Sequence, residues 1–159
     1  MFKGISPGQI PQSFTQAVKT AVAAVVSLLV ARLLGMPEAY WAPVTTLVVL
    51  QSSLGAAFPI SVQRLAGTVL GTVVGALAMT YTRGTVLVFG AAVFLIGMLC
   101  TMLRLEKNAY RFAGITVAII MLVPRTDSVW VIALHRFVEV SVGIVVGLAI
   151  TALWPEPER

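Results

Sequence analysis

Three residues that could carry charge chemistry, His135, Arg136 and Glu139, stand together in a largely apolar run of about residues 128–154. On a helix, spacings of three and four put Arg136 and His135 on the same face as Glu139. A lone carboxylate at membrane depth costs a few kcal/mol or more, so Glu139 is expected to face a partner or water. Two chemistries fit. Arg136 and Glu139 neutralise each other as a structural pair, or they form a proton or substrate relay together with His135. A second isolated cation, Arg64, heads the stretch "RLAGTVLGTVVG". Arginine suits carboxylates because its planar fork donates two hydrogen bonds and keeps its charge when dried. Arg64 and Arg136 are therefore candidate anion-binding points. The competing reading is that each snorkels to an interface and anchors its helix. Arg64 falls at the edge of its expected span, and Arg136 about two turns inside its own.

These residues are embedded in a chain of 159 residues that is 58% hydrophobic and 11% charged. A soluble domain carries about 25% charged residues, so this chain could not cover its surface with polar groups, and lipid must cover it instead. Six helices of about 20 residues would use roughly 120 residues, which leaves short connections and no room for a soluble domain. The excess of 11 basic over 6 acidic residues is scattered singly at span ends, where it sets orientation. It forms no basic stripe interleaved with aromatics, and nucleic acid is excluded as a partner. Cys100 is the single cysteine, so neither an internal disulfide nor a cysteine metal site can form. No cofactor is expected.

Residues 1–12 read as a cytoplasmic segment, 13–154 as one membrane domain and 155–159 as a tail. Ser13 and Gln16 have capping-box spacing at the start of the first helix. The spans then fall at about 13–35, 40–54, 60–81, 84–103, 110–123 and 128–154. Tyr40, Trp41, Tyr81, Tyr110, Trp130 and Trp154 all fall at span ends, the headgroup level that amphipathic rings prefer. With the N-terminus inside, Lys3, Lys19, Arg64, Arg104, Lys107, Arg111 and Arg159 lie on the cytoplasmic side. Arg32, Arg83, Arg125 and Arg136 lie opposite, which favours both termini in the cytoplasm.

The chain is also doubled. Arg64, Gly71 and Gly75 recur as Arg136, Gly143 and Gly147 at an offset of 72, and Ala39-Tyr40 recurs as Ala109-Tyr110 at 70. Spans one to three (about 13–81) thus match spans four to six (about 84–154). Three is odd, so the second copy must enter the membrane upside down. The expected fold is all-α and integral to the membrane, with six transmembrane helices as two inverted three-helix repeats. Gly67, Gly71 and Gly75, four apart, form a flat stripe for close helix packing. Its counterpart is Gly143 and Gly147, with Glu139 in the place of Gly67.

The second and fifth spans are short at corresponding places, and "LQSSLGAAFP" breaks the second. Interrupted spans free backbone groups that must line a cavity. Gln51, Ser52 and Ser53 either bind substrate there or cap a helix end. "GISPG" matches a hydrolase nucleophile pattern but lacks the strand and helix that would present Ser6. His135 with Asp127 is too thin for a metal site. No nucleophile–base constellation appears, and no enzyme is expected.

The order of Tyr40-Trp41-Ala42, Leu50-Gln51-Ser52-Ser53, Gln63-Arg64, Gly67-Thr68 and Gly71, followed by Arg136, Glu139 and Gly143, resembles the fusaric-acid-resistance (FUSC-like) or aromatic acid exporter family. The likeness covers about residues 13–154. It implies a six-helix module of bacterial inner membranes that exports aromatic carboxylic acids, with Arg64 and Arg136 attracting the anion. Related plant proteins are anion channels that work as homodimers. Many bacterial members carry large cytosolic regions and a second membrane block. Five residues follow Trp154 here, so a homodimer is expected. Ser52 stands where the family often has proline. On this reading Glu139 tunes Arg136, the broken second span lines the path, and Arg136→Gln cuts flux without unfolding the protein. The rival expectation is a non-transporting membrane subunit that assembles with or regulates a partner.

Overall fold

A computed structural model describes residues 9–51, 53–82, 84–123 and 127–154, so Ser52 lies outside the described residues. The described chain is all-helical, with six helices: α1 (Gln9–Leu33), α2 (Trp41–Val49), α3 (Leu54–Tyr81), α4 (Val86–Met102), α5 (Lys107–Leu122) and α6 (Val129–Leu153). Three of them, α1, α3 and α6, are long and apolar enough to cross a membrane, and α4 is a shorter apolar helix.

The largest differences from the expected helix starts are in the first and third helices. The first helix begins at Gln9, not Ser13, so the capping-box reading of Ser13 and Gln16 does not hold. Pro11 sits in the first turn, where a missing N–H has no intrahelical acceptor to lose. The third helix begins at Leu54 and runs through Pro59. The second helix is correspondingly short: nine residues, about 13 Å at 1.5 Å per residue. It ends where Leu50 turns extended, and Ser53 is extended as the N-cap of α3.

The buried faces explain how so apolar a chain packs. On α1, Lys19, Ala23, Ser27 and Ala31 are buried at intervals of four, and on α4 so are Ala92, Ile96 and Cys100. Outside that stripe α4 remains apolar: Leu87, Phe94 and Met102 are largely exposed. A helix apolar all round with one narrow buried stripe is one whose other face meets lipid.

Glycine decides which helices touch. A Cβ on Gly71 would lie 2.5 Å from the Ala113 carbonyl oxygen and 2.7 Å from Thr116 Cβ; one on Gly143 would lie 2.5 Å from the Ala42 carbonyl oxygen and 2.6 Å from Thr45 Cβ. Gly75 then faces Ile120, and Gly147 faces Val49. Later residues of α3 meet later residues of α5, so the two run parallel, and α6 runs parallel to α2 in the same way. Ala76 and Met79 near the end of α3 cluster with Val129, Ile132 and Ala133 at the start of α6, while Ile60 joins Val140, Ile144 and Leu148. The long helices α3 and α6 are therefore antiparallel. The small residues expected to pack helices do so within one chain, because lipid offers no hydrophobic drive and close backbone approach must supply the contact.

Gly143→Ala is expected to destabilise the protein by ~1–3 kcal/mol, since the added methyl must push α2 from α6. Gly90→Ala and Gly114→Ala meet nothing within 4 Å and are expected to hold or raise stability. Thermal unfolding of the three variants in one detergent distinguishes these outcomes.

Candidate functional site

Among the described residues four charged side chains are buried: Lys19, Arg64, Arg136 and Glu139, exposed by 1%, 3%, 1% and 1%. The starting point of α3 changes the reading of Arg64. It is ten residues into its helix, not at the edge of a span, and it does not snorkel to water. Lys19 and Arg136 likewise face the interior, so none of the three acts as a surface charge in setting orientation.

Arg136 belongs to a network of charged and aromatic side chains at the start of α2. Its guanidinium carbon lies 3.8 Å from the centroid of the Trp41 ring, a cation–π contact that strengthens when water is excluded. The Trp41 indole N–H donates to the Glu38 carboxylate at 3.1 Å, and the Glu38 backbone N–H donates to Glu139 Oε1 at 3.2 Å. Glu139 Oε2 lies 3.9 Å from Arg136 Nη1, one helical turn away. The pairing of Arg136 with Glu139 expected from their spacing is present. His135 is half-buried, and among the described residues no hydrogen bond joins it to Glu139.

Arg64 sits differently. It donates from Nη2 to the Thr45 hydroxyl at 3.2 Å and lies 4.6 Å from the centroid of the Phe112 ring. Its buried Nε meets no hydrogen-bond acceptor among the described residues. Phe112 comes from α5, the helix against which Gly67 and Gly71 pack. Close packing of glycine thus brings the ring under the guanidinium.

The break after α2 is held from outside. Lys19 Nζ donates to the Gln51 backbone carbonyl at 3.2 Å, a carbonyl that lies beyond the end of α2. Deeper in the bundle, the Thr46 hydroxyl lies 2.7 Å from Ser27 Oγ and 2.9 Å from the Gly143 carbonyl oxygen, tying α1, α2 and α6. Ser53 caps α3 by backbone conformation, with no side-chain cap bond. Sequence reasoning paired Gln51, Ser52 and Ser53 with a broken segment but missed Lys19, Thr45 and Phe112. It also placed Trp41 only in the headgroup belt, whereas its ring is committed to Arg136. Lys19 could have been found: a lysine amid "TQAVKTAVAAVV" sits well inside an apolar run, where charge is expensive and marks a role.

Arg136→Gln alone is expected to lower stability by ~3–5 kcal/mol, because it strands a buried Glu139. Pairing it with Glu139→Gln is expected to restore most of that loss. Chemical or thermal unfolding of the single and double variants checks this, and equal loss in both would deny the pair its balancing role.

Comparison with known proteins places this arrangement. The family model for fusaric acid resistance protein-like proteins matches residues 15–150. Inner membrane protein YeeA of Escherichia coli (strain K12) is 30% identical over 166 aligned positions, which take in 97% of this chain and 46% of that protein. This chain thus spans about half the length of the curated relative it matches. No solved structure matches. The chain belongs to the fusaric acid resistance protein-like family.

Proposed function

We propose that the protein is a bacterial inner-membrane transporter or channel for small organic anions, aromatic carboxylic acids among them, and not an enzyme. One observation carries the reading: among the described residues the interior holds three cations, Lys19, Arg64 and Arg136, against one carboxylate, Glu139. Lys19 has a backbone carbonyl and Arg136 the Glu139 carboxylate as partners, which leaves Arg64 without a buried carboxylate among the described residues. Burying a charge is costly, and an anion entering the bundle would answer it. The inner-membrane location follows the relative's printed name and the apolar helices.

In this reading the chain crosses the membrane as two inverted three-helix repeats, with α2 and the break that follows it together making the second passage. The antiparallel course of α3 and α6, and the matching glycine contacts of α3 on α5 and of α6 on α2, support it. The nine residues of α2 reach about halfway through a hydrocarbon core of about 30 Å. A helix ending at such depth needs protein to satisfy its backbone, which is what Lys19 does for Gln51. Arg104, Lys107 and Arg111 are exposed at the α4–α5 end, and Arg32 at the opposite end. Positive charge favours the cytoplasm, so both termini lie inside. In this reading the chain acts as a homodimer. The second reading is a non-transporting subunit bound to a different protein.

Purified chain in liposomes is expected to take up 4-hydroxybenzoate saturably above empty liposomes, and to leave the uptake of neutral 4-hydroxybenzyl alcohol unchanged. Absence of flux for several anions, with a proton gradient imposed and folded protein present, removes the transport reading. A partner that co-purifies stoichiometrically then favours the subunit. Mass measurement in mild detergent and in lipid nanodiscs is expected to give two chains per particle; one chain in both removes the homodimer.

A further inference from the structure

The two buried arginines occupy matching places with opposite electrostatics. Each lies over an aromatic ring from a neighbouring helix: Arg136 over Trp41 and Arg64 over Phe112. The arginines are 72 residues apart and the rings 71. Moving from Arg136 to Arg64 by 72 exchanges Glu139 for Gly67, and the counterpart of Glu38 is Ala109 counted from the rings or Asn108 counted from Ala39-Tyr40, neither of them a carboxylate. Both carboxylates of the Arg136 network are thus missing around Arg64. The place is also closed to a side chain of its own. A Cβ on Gly67 would lie 2.5 Å from the Ala109 carbonyl oxygen and 2.8 Å from Phe112 Cβ.

What Arg64 has instead is neutral: the Thr45 hydroxyl and the face of Phe112. A guanidinium carries five N–H donors in a fixed fork; the buried Nε of Arg64, like that of Arg136, meets no hydrogen-bond acceptor among the described residues, so it is the missing carboxylates that set Arg64 apart. A second buried cation, Lys19, donates to a backbone carbonyl six residues beyond Thr45 along α2 and its broken end. The first three helices therefore hold two buried cations and no buried carboxylate among the described residues, while the last three hold one of each.

We propose that the carboxylate of the organic anion docks at Arg64, beside the Thr45 hydroxyl and with Lys19 as a second cation towards the α2–α3 break. Arg136 is a positioning residue, already neutralised, that holds α6 to the start of α2. This rests on the anion reading above and narrows it to one of the two arginines. Nature of the charge balance, and not position in the repeat, separates them. A bidentate carboxylate would answer the Nε–Nη edge of Arg64, which Thr45 leaves partly open.

Equilibrium binding of radiolabelled 4-hydroxybenzoate to the full chain in lipid nanodiscs tests this, with thermal stability read on the same samples. Arg64→Gln is expected to weaken binding about tenfold or more and to abolish the ligand-induced rise in unfolding temperature. Without ligand its unfolding temperature is expected to match or exceed wild type, because an uncompensated buried charge has gone. Arg64→Lys, which keeps the charge but loses the fork, is expected to fall between the two. The double variant Arg136→Gln with Glu139→Gln is expected to bind within about threefold of wild type, a shift smaller than one lost charged hydrogen bond produces. The proposal is overturned if wild type does not bind, if Arg64→Gln binds as wild type does, or if the double variant loses as much while folded. A large drop in the ligand-free stability of Arg64→Gln would also overturn it, by making Arg64 structural. Binding that depends on Arg64 without liposome flux keeps this site and removes transport. Flux with binding indifferent to Arg64 does the reverse.

Discussion

A cation held away from water must be answered by negative charge, by oriented dipoles or by an aromatic face. Much of this interior is arranged around that requirement. Arg136 is answered by Trp41 and by Glu139 one turn along, and Glu139 is in turn held by the Glu38 backbone. Lys19 is answered by a carbonyl that the helix break has released. Arg64 receives a hydroxyl and a ring. These are three solutions to one problem, and they differ in how much charge each leaves over.

Packing makes the solutions possible. The rings that lie under the guanidiniums come from α2 and α5, and those helices reach α6 and α3 through glycine. Had Gly67 or Gly143 carried a side chain, the backbones would stand farther apart and the rings would move away from the arginines. Dispersion contact between backbones and cation–π contact are therefore linked: the first sets the distance at which the second operates. Threonine adds register. Thr45 answers Arg64 and Thr46 joins Ser27 to the Gly143 carbonyl, so successive residues of α2 serve different neighbours.

The helices themselves were largely legible in the sequence, because runs this apolar have few alternatives to helix once lipid surrounds them. Their ends were less so. The first and third spans were expected to begin after Pro11 and Pro59, yet each proline lies inside a helix near its start, where one missing N–H costs little or where a single lost bond is tolerated. The pairing of Arg136 with Glu139 was legible because it is local, three residues on one face. The setting of Arg64 was not. It depends on Phe112, 48 residues away, and on Thr45, 19 residues away.

By itself the sequence determined what the chain could not be and what its local faces look like. Its composition demanded lipid, its spacing paired Arg136 with Glu139, and its glycines announced close helix contact. Only the tertiary structure decided which helices those glycines join, that Lys19 and Arg64 point inward, and that a carboxylate balances one arginine of the matched pair but not the other. The reason is physical. Helical spacing orders neighbours along one axis, whereas the balance of buried charge is a sum over every helix that packs around it.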